Sequence, residues 1–303
     1  MRMCCALWLS CALAAVSLSG QAPTPAAPPP GETIELLWPA GAPFANGQQE
    51  HDRPSLSLYL ASAERGNGTA VVVCPGGGYG TLALGHEGRD IGRHWNELGV
   101  SAFVLRYRHA PHYRHPCPML DVKRALRMVR ARALEWRVDP ARLGVMGFSA
   151  GGHLAATAMT RFDAGNAAAD DPIERVSCRP DFGILVYPVI AFDEPYTHQG
   201  SVRNLLGERG DDAALRAELS PERHVQATTP PCFLVHTSAD TVVPAENSLA
   251  FYLALRRAKV PAELHVYEPG QHGFGLAVGH PVLGTWPGHL TAWLRGRSLL
   301  PAR

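Results

Sequence analysis

A mostly parallel α/β sheet with helices on both faces is the fold class this sequence predicts. Three observations carry the prediction. Residues 70–74 (AVVVC) form a continuous β-branched run, strand-like and helix-like segments alternate from about residue 33 onward, and a Gly-Phe-Ser-Ala-Gly turn at 147–151 joins an apolar segment to a small-residue helix. An uninterrupted apolar run is expected of a strand covered on both faces. Strands separated by helices imply crossover connections between parallel neighbours. The chain has 303 residues, enough for one large domain of this kind and short for two.

The elements follow in order. Thr33 to Trp38 and Pro54 to Ala61 read as two early strands, the second alternating Leu56, Leu58 and Leu60 with Ser55, Ser57 and Tyr59. After the 70–74 strand, Glu87 to Leu98 reads as a helix ended by Gly99, and Val100 to Arg106 as a strand. Met119 to Trp136 carries the plainest helical period: Val122, Leu126, Val129, Ala133 and Trp136 share a face, with the arginines at 124, 127, 130 and 132 mostly off it. Pro118 suits a first turn and Asp121 the positive helix end. Further strands are expected at 142–148, 182–189, 232–237 and 262–268, with helices at 150–159, 245–259 and 286–295. Residues 191–229 lack this rhythm and are rich in Asp, Glu, Pro and Gly, which reads as a small insertion or cap over the carboxyl edge of the sheet.

Composition narrows the function. There are 28 basic and 27 acidic residues, a net charge of +1, which argues against binding nucleic acid by electrostatics. Residues 1–20 read as an export leader, with Arg2, an apolar stretch from Cys4 to Leu18, and small residues for cleavage. The apolar run is short for a bilayer span, an N-terminal anchor being the alternative. Residues 21–32 follow as a Pro/Ala-rich tether and 33–300 as the catalytic domain, so the mature chain is expected in the periplasm or outside the cell. Four cysteines, Cys74, Cys117, Cys178 and Cys232, would survive cleavage and allow three pairings, or sit reduced in the core. No Cys-x-x-Cys pair occurs, which speaks against structural zinc.

The chemistry centres on Ser149. A serine at a sharp strand-to-helix turn presents its hydroxyl above the sheet, and the tightness of the turn explains Gly147 and Gly151. A hydroxyl needs a base, and the base needs an orienting carboxylate. Asp240 follows the strand CFLVHT and His272 follows ELHVYE, each just past a strand and in the chain order serine, acid, histidine. Among the 14 histidines, His86, His94, His109, His112 and His115 precede the turn, His236 and His265 lie within strands, and His280 and His289 are not at strand ends. His153, one helical turn past Ser149, reads as packing. The oxyanion of a tetrahedral intermediate needs preorganised donors: the amide of Ala150 and, from the turn CPGGGYG (74–80), those of Gly77 and Gly78. A phosphate loop is the rival reading of that turn, but no G-K-[ST] follows and the dinucleotide spacing is missing. Tyr79, Tyr107, Tyr113, Arg114 and Tyr196 are candidates for rim residues able to meet a sugar ring.

VCPGGGY, YRHPCPMLDVKRALRMVRARA, GFSAGGHLAA and ENSLAFYLALRRAKVPAELHVYEPGQHGFG together resemble α/β-hydrolase esterases, most closely the secreted bacterial acetyl-esterase, acetylxylan-esterase or xylanase-associated esterase-like group. The likeness runs from about residue 33 to 300. It implies an α/β-hydrolase fold and carboxylic-ester hydrolysis, often of acetyl groups on plant polysaccharide, with Ser149, Asp240 and His272 as triad and no cofactor or metal. Pro75 stands where the more familiar lipase turn has His, and a proline has no N–H to give, so the donors fall to the glycines after it. The expected partner is a small or polysaccharide ester. Alternatives are a feruloyl esterase or serine exopeptidase on the same fold, and an idle carbohydrate-binding module.

Overall fold

The structure is a computed structural model that describes Met1 and residues 33–302; the leader and tether expected over 1–32 lie outside that stretch. Among the described residues, eight strands form one sheet: β1 (Thr33–Leu36), β2 (Ser55–Tyr59), β3 (Ala70–Cys74), β4 (Ser101–Arg106), β5 (Leu143–Phe148), β6 (Phe182–Val186), β7 (Cys232–Thr237) and β8 (Ala262–Tyr267). Their spatial order is β1-β2-β4-β3-β5-β6-β7-β8. β1 with β2 and β2 with β4 run antiparallel; every other pairing is parallel. The seven α-helices among the described residues are α1 (Asp90–Glu97), α2 (Cys117–Ala131), α3 (Ser149–Thr160), α4 (Gln199–Leu206), α5 (Ala213–Glu218), α6 (Glu246–Arg257) and α7 (Trp286–Gly296). None is long and apolar enough to cross a membrane.

Alternate residues of each central strand feed two separate cores. Val72, Cys74, Phe103, Leu105, Val145 and Leu234 face α2, α3 and α6. Val71, Val73, Val104, Met146, Ile184 and Val235 face α1 and α7, through Ile91, Trp95, Trp286 and Leu294. Burying both faces of five parallel-paired strands explains why these segments read as unbroken apolar runs. All four described cysteines are free thiols, and all are buried.

Several expectations are corrected in detail. The helix expected from Glu87 opens with a π turn at Gly85–Arg89, and Glu87 itself points inward, 3% exposed. The strand expected to reach Val189 stops at Val186, because Tyr187 turns into positive φ (38°) ahead of Pro188. Helix α2 starts two residues early and its regular part ends at Ala131, although Trp136 still packs on Phe103. Arg124 and Arg127, expected off the apolar face, are buried, because residues 163–174 cover that side and supply Asp163, Asp171 and Glu174 as partners. Asp121 is also fully buried, with the Arg108 guanidinium 2.7 Å away, so it serves that ion pair. Residues 191–229, read as an insertion or small cap, hold the helices α4 and α5. These helices have eight and six residues, too short to show a period.

Candidate active site

Strand β5 delivers Ser149 at φ +51°, the left-handed region that a non-glycine residue occupies only when its surroundings force it. Glycines make the turn sterically feasible. A Cβ at Gly147 would overlap the Gly151 carbonyl and sit 2.8 Å from Ala155 Cβ. A Cβ at Gly151 would overlap the backbone of Cys74 and Pro75, and one at Gly152 would lie 2.6 Å from Pro188 Cβ. Helix α3 can therefore press against β3 and β6 only because those positions have no side chain.

The structure brings all three expected side chains together at the carboxyl edge. His272 Nε2 lies 2.8 Å from Ser149 Oγ, and His272 Nδ1 lies 2.6 Å from Asp240 Oδ2. One tautomer satisfies both contacts: Nδ1–H donates to the carboxylate, leaving the Nε2 lone pair to accept the serine hydroxyl. Asp240 Oδ1 accepts the amides of Val242 (3.0 Å) and Val243 (2.8 Å). Burial alone would raise this carboxyl, but hydrogen bonds from His236, His272 and the Val243 amide outweigh it and hold the group well below the ordinary carboxylate range. Asp240 is thus a fixed anion.

His236, set aside in sequence as a residue inside a strand, is a second neighbour of that anion. Its Nε2 lies 3.4 Å from Asp240 Oδ2 and 2.8 Å from the Val243 carbonyl, while Nδ1 meets Ser248 Oγ at 2.7 Å. A strand of period two gives no sign that a residue before its end will reach the loop beyond it. His153 is buried between Tyr79 Oη (2.8 Å) and the Leu219 carbonyl (2.7 Å) and stacks on Phe192, which is the packing role expected of it.

The glycine turn crosses directly over the serine. A Cβ on Gly76 would sit 2.9 Å from Ser149 Cβ. Gly76 donates its amide to Glu87 Oε2 at 2.7 Å. Gly77 and Gly78 both have positive φ (127° and 62°), and among the described residues neither amide has a hydrogen-bond acceptor. The Ala150 amide belongs to the first turn of α3, where N–H groups have no partner within the helix. Tyr107 Oη donates to the Pro75 carbonyl (2.7 Å), and Asn204 Nδ2 of α4 donates to the Gly78 carbonyl (2.9 Å), so the 191–229 excursion rests on this turn. Of the proposed rim aromatics, Tyr79, Tyr107 and Tyr113 are buried, because their hydroxyls serve His153, Pro75 and Asp52. Tyr196 and Arg114 remain accessible.

The BD-FAE family model matches residues 56–255. The chain is 38% identical to an acetylxylan esterase of Xylanibacter ruminicola and 38% identical to endo-1,4-beta-xylanase B of Butyrivibrio fibrisolvens, in each case over 74% of this chain. It spans 43% and 35% of the lengths of those two relatives. A solved structure, the acetyl ester-xyloside bifunctional hydrolase from Caldicellulosiruptor lactoaceticus, superposes with a TM-score of 0.83 at 42% identity, over 89% of this chain and 97% of its own. With about two thirds of its length inside the family model and relatives of this similarity, the chain belongs to the BD-FAE family of α/β-hydrolase esterases.

Proposed function

We propose that this chain is a serine carboxylic-ester hydrolase that removes short acyl groups, acetyl foremost, from carbohydrate such as acetylated xylan. The observation that carries the chemistry is the pair of contacts, 2.8 Å and 2.6 Å, linking Ser149, His272 and Asp240 beneath the glycine turn. The substrate class is supported by the acetylxylan esterase and the acetyl ester-xyloside hydrolase to which the chain is similar.

Ser149 Oγ attacks the ester carbonyl as its proton passes to His272 Nε2, and Asp240 stabilises the resulting imidazolium. The carbonyl oxygen, now negative, is held by the amides of Ala150 and of Gly77 or Gly78. The sugar alcohol leaves with the proton from Nε2, giving an acyl-serine. Water then attacks, passes its proton to the same nitrogen, and the acid departs as Ser149 is reprotonated. Gly76 takes no part as a donor, since its amide is committed to Glu87.

A fluorophosphonate label and an ester panel test the reading. Wild type should be labelled and Ser149→Ala should not. p-Nitrophenyl acetate should be cleaved faster than the butyrate and octanoate, and acetate should be released from acetylated xylan. Faster turnover of methyl ferulate would move the assignment to a feruloyl esterase, and more than a few per cent residual activity in Ser149→Ala would remove the nucleophile. Residues 1–20 belong to the proposal as an export leader: the mature N-terminus should begin near residue 21, and an intact N-terminus in cytosol would overturn that part.

A further inference from the structure

Glu87 is a carboxylate that the mechanism above does not use, and it is 3% exposed. Burying such a group is unfavourable by several kcal/mol unless its oxygens are hydrogen-bonded. Its two short hydrogen bonds come from two separate strand exits, and the half-exposed imidazole of the neighbouring His86 lies 3.6 Å from Oε1. Oε2 accepts the Gly76 amide at 2.7 Å, from the turn after β3. Oε1 accepts the Tyr187 hydroxyl at 2.8 Å, from the chain just after β6. Tyr187 has one hydroxyl hydrogen, and it goes to Glu87. Its oxygen in turn accepts the Gly275 amide at 3.0 Å, from the loop that carries His272. The direction of this relay is therefore settled: Gly275 donates to Tyr187, and Tyr187 and Gly76 both donate to Glu87.

Tyr187 also touches the base. Its ring lies edge-on to the His272 imidazole (4.9 Å between centroids, 62°) and to Phe274 (4.4 Å, 80°). The backbone of Tyr187 is in the positive-φ region, so the side chain is set by its surroundings rather than by local preference. At the other end, Gly76 sits against Ser149. One buried carboxylate thus joins the turn above the nucleophile to the aromatic wall behind the histidine.

We infer that Glu87 is a positioning residue, which through Gly76 and Tyr187 holds the glycine turn and the His272 loop at a fixed spacing across Ser149. The inference rests on the esterase reading, and it concerns the rate of acyl transfer rather than the capture of substrate. Two donors converge on Glu87, so a glutamine there can serve one of them and turns its own N–H₂ toward the other.

The test compares Glu87→Gln, Tyr187→Phe and the double variant on p-nitrophenyl acetate, with Ser149→Ala as reference and thermal melts alongside. Displacing one reacting partner by about 1 Å is worth about 100-fold, so Glu87→Gln should lose about 30- to 100-fold in kcat with KM within about threefold. Tyr187→Phe, which removes one oxygen and keeps the ring against His272, should lose about tenfold by the same logic. Both break one relay, so the double variant should be no slower than Glu87→Gln. The rate of serine phosphonylation should fall in step with kcat. Retention of more than half the wild-type kcat by folded Glu87→Gln would overturn the inference, as would losses that multiply in the double variant or that fall on KM. Should Glu87→Gln melt below assay temperature, Tyr187→Phe decides by the same criteria. A wild type inactive on esters would overturn this and the esterase reading together. An active wild type silenced by Ser149→Ala but indifferent at Glu87 and Tyr187 sinks only the positioning role.

Discussion

The two halves of the site are held by different forces. On the serine side, sterics decide: β5 runs into α3 with no intervening residue, and glycines at 147, 151 and 152 allow backbone to lie where a side chain would collide. On the histidine side, hydrogen bonds decide. His272 stands on a loop with positive-φ glycines at 270, 273 and 275, tied down by Thr237 Oγ1 to the Gly270 carbonyl (2.7 Å), Gly275 to Tyr187, and Trp286 Nε1 to the Gly275 carbonyl (3.1 Å). A steric constraint fails all at once. A hydrogen-bonded one can loosen by degrees, so perturbations of the histidine side should give graded losses of rate.

Removing chemistry from each side gives the largest effects. Ser149→Ala should lower kcat by about 10⁶, and Asp240→Asn by about 10⁴, because the imidazole then settles in the tautomer that cannot take the serine proton. Steady-state hydrolysis of p-nitrophenyl acetate measures both. If Asp240→Asn were as inert as Ser149→Ala, the idea that the histidine side fails by degrees would be wrong. Gly151→Ala attacks the steric side without touching a functional group. Its methyl would overlap the Cys74 and Pro75 carbonyls, which are backbone and cannot swing aside. It should lose about 3 kcal/mol in denaturant unfolding and nearly all activity. A variant of wild-type stability would show that the elbow has room to relax.

The smallest effect sharpens the comparison through pH. Burial drives His153 down to about 4 from 6.5, and its lone pair on Nδ1 is occupied by Tyr79 while Nε2–H serves Leu219. The folded value is depressed, so the unfolded chain binds the extra proton first. Stability due to this residue is complete above pH 6.5 and is lost as pH falls toward 4, about 3 kcal/mol in all. Unfolding free energies at several pH values should show that slope in wild type and a flatter one in His153→Gln. Equal slopes would exclude His153 as the source. Asp240, also depressed, acts in the same sense but at lower pH, and should keep its contribution until the pH drops below about 4.

How much was legible in the sequence follows the same division. Local rules exposed the elbow, because a strand, a serine and flanking glycines are adjacent in the chain. Chain order and strand ends then exposed Asp240 and His272. The long-range supports were not legible. Glu87, Tyr187 and His236 reach the site from separate elements, and a single sequence carries no mark of which distant group will meet them. The short helices of 191–229 and the buried arginines of α2 were missed for related reasons, one being too brief for a period and the other depending on a covering segment. The proposed export leader rests on the residue pattern of 1–20 alone.

One further consequence comes from the sealed thiols. With Cys74 and Cys232 at zero exposure and burial pushing both well above the usual cysteine range, a thiol-reactive dye finds no thiolate at either position in the native fold. Dye uptake at Cys74 and Cys232 then becomes a built-in clock for global opening, timed by strands at the centre of the molecule and indifferent to movements at the catalytic rim.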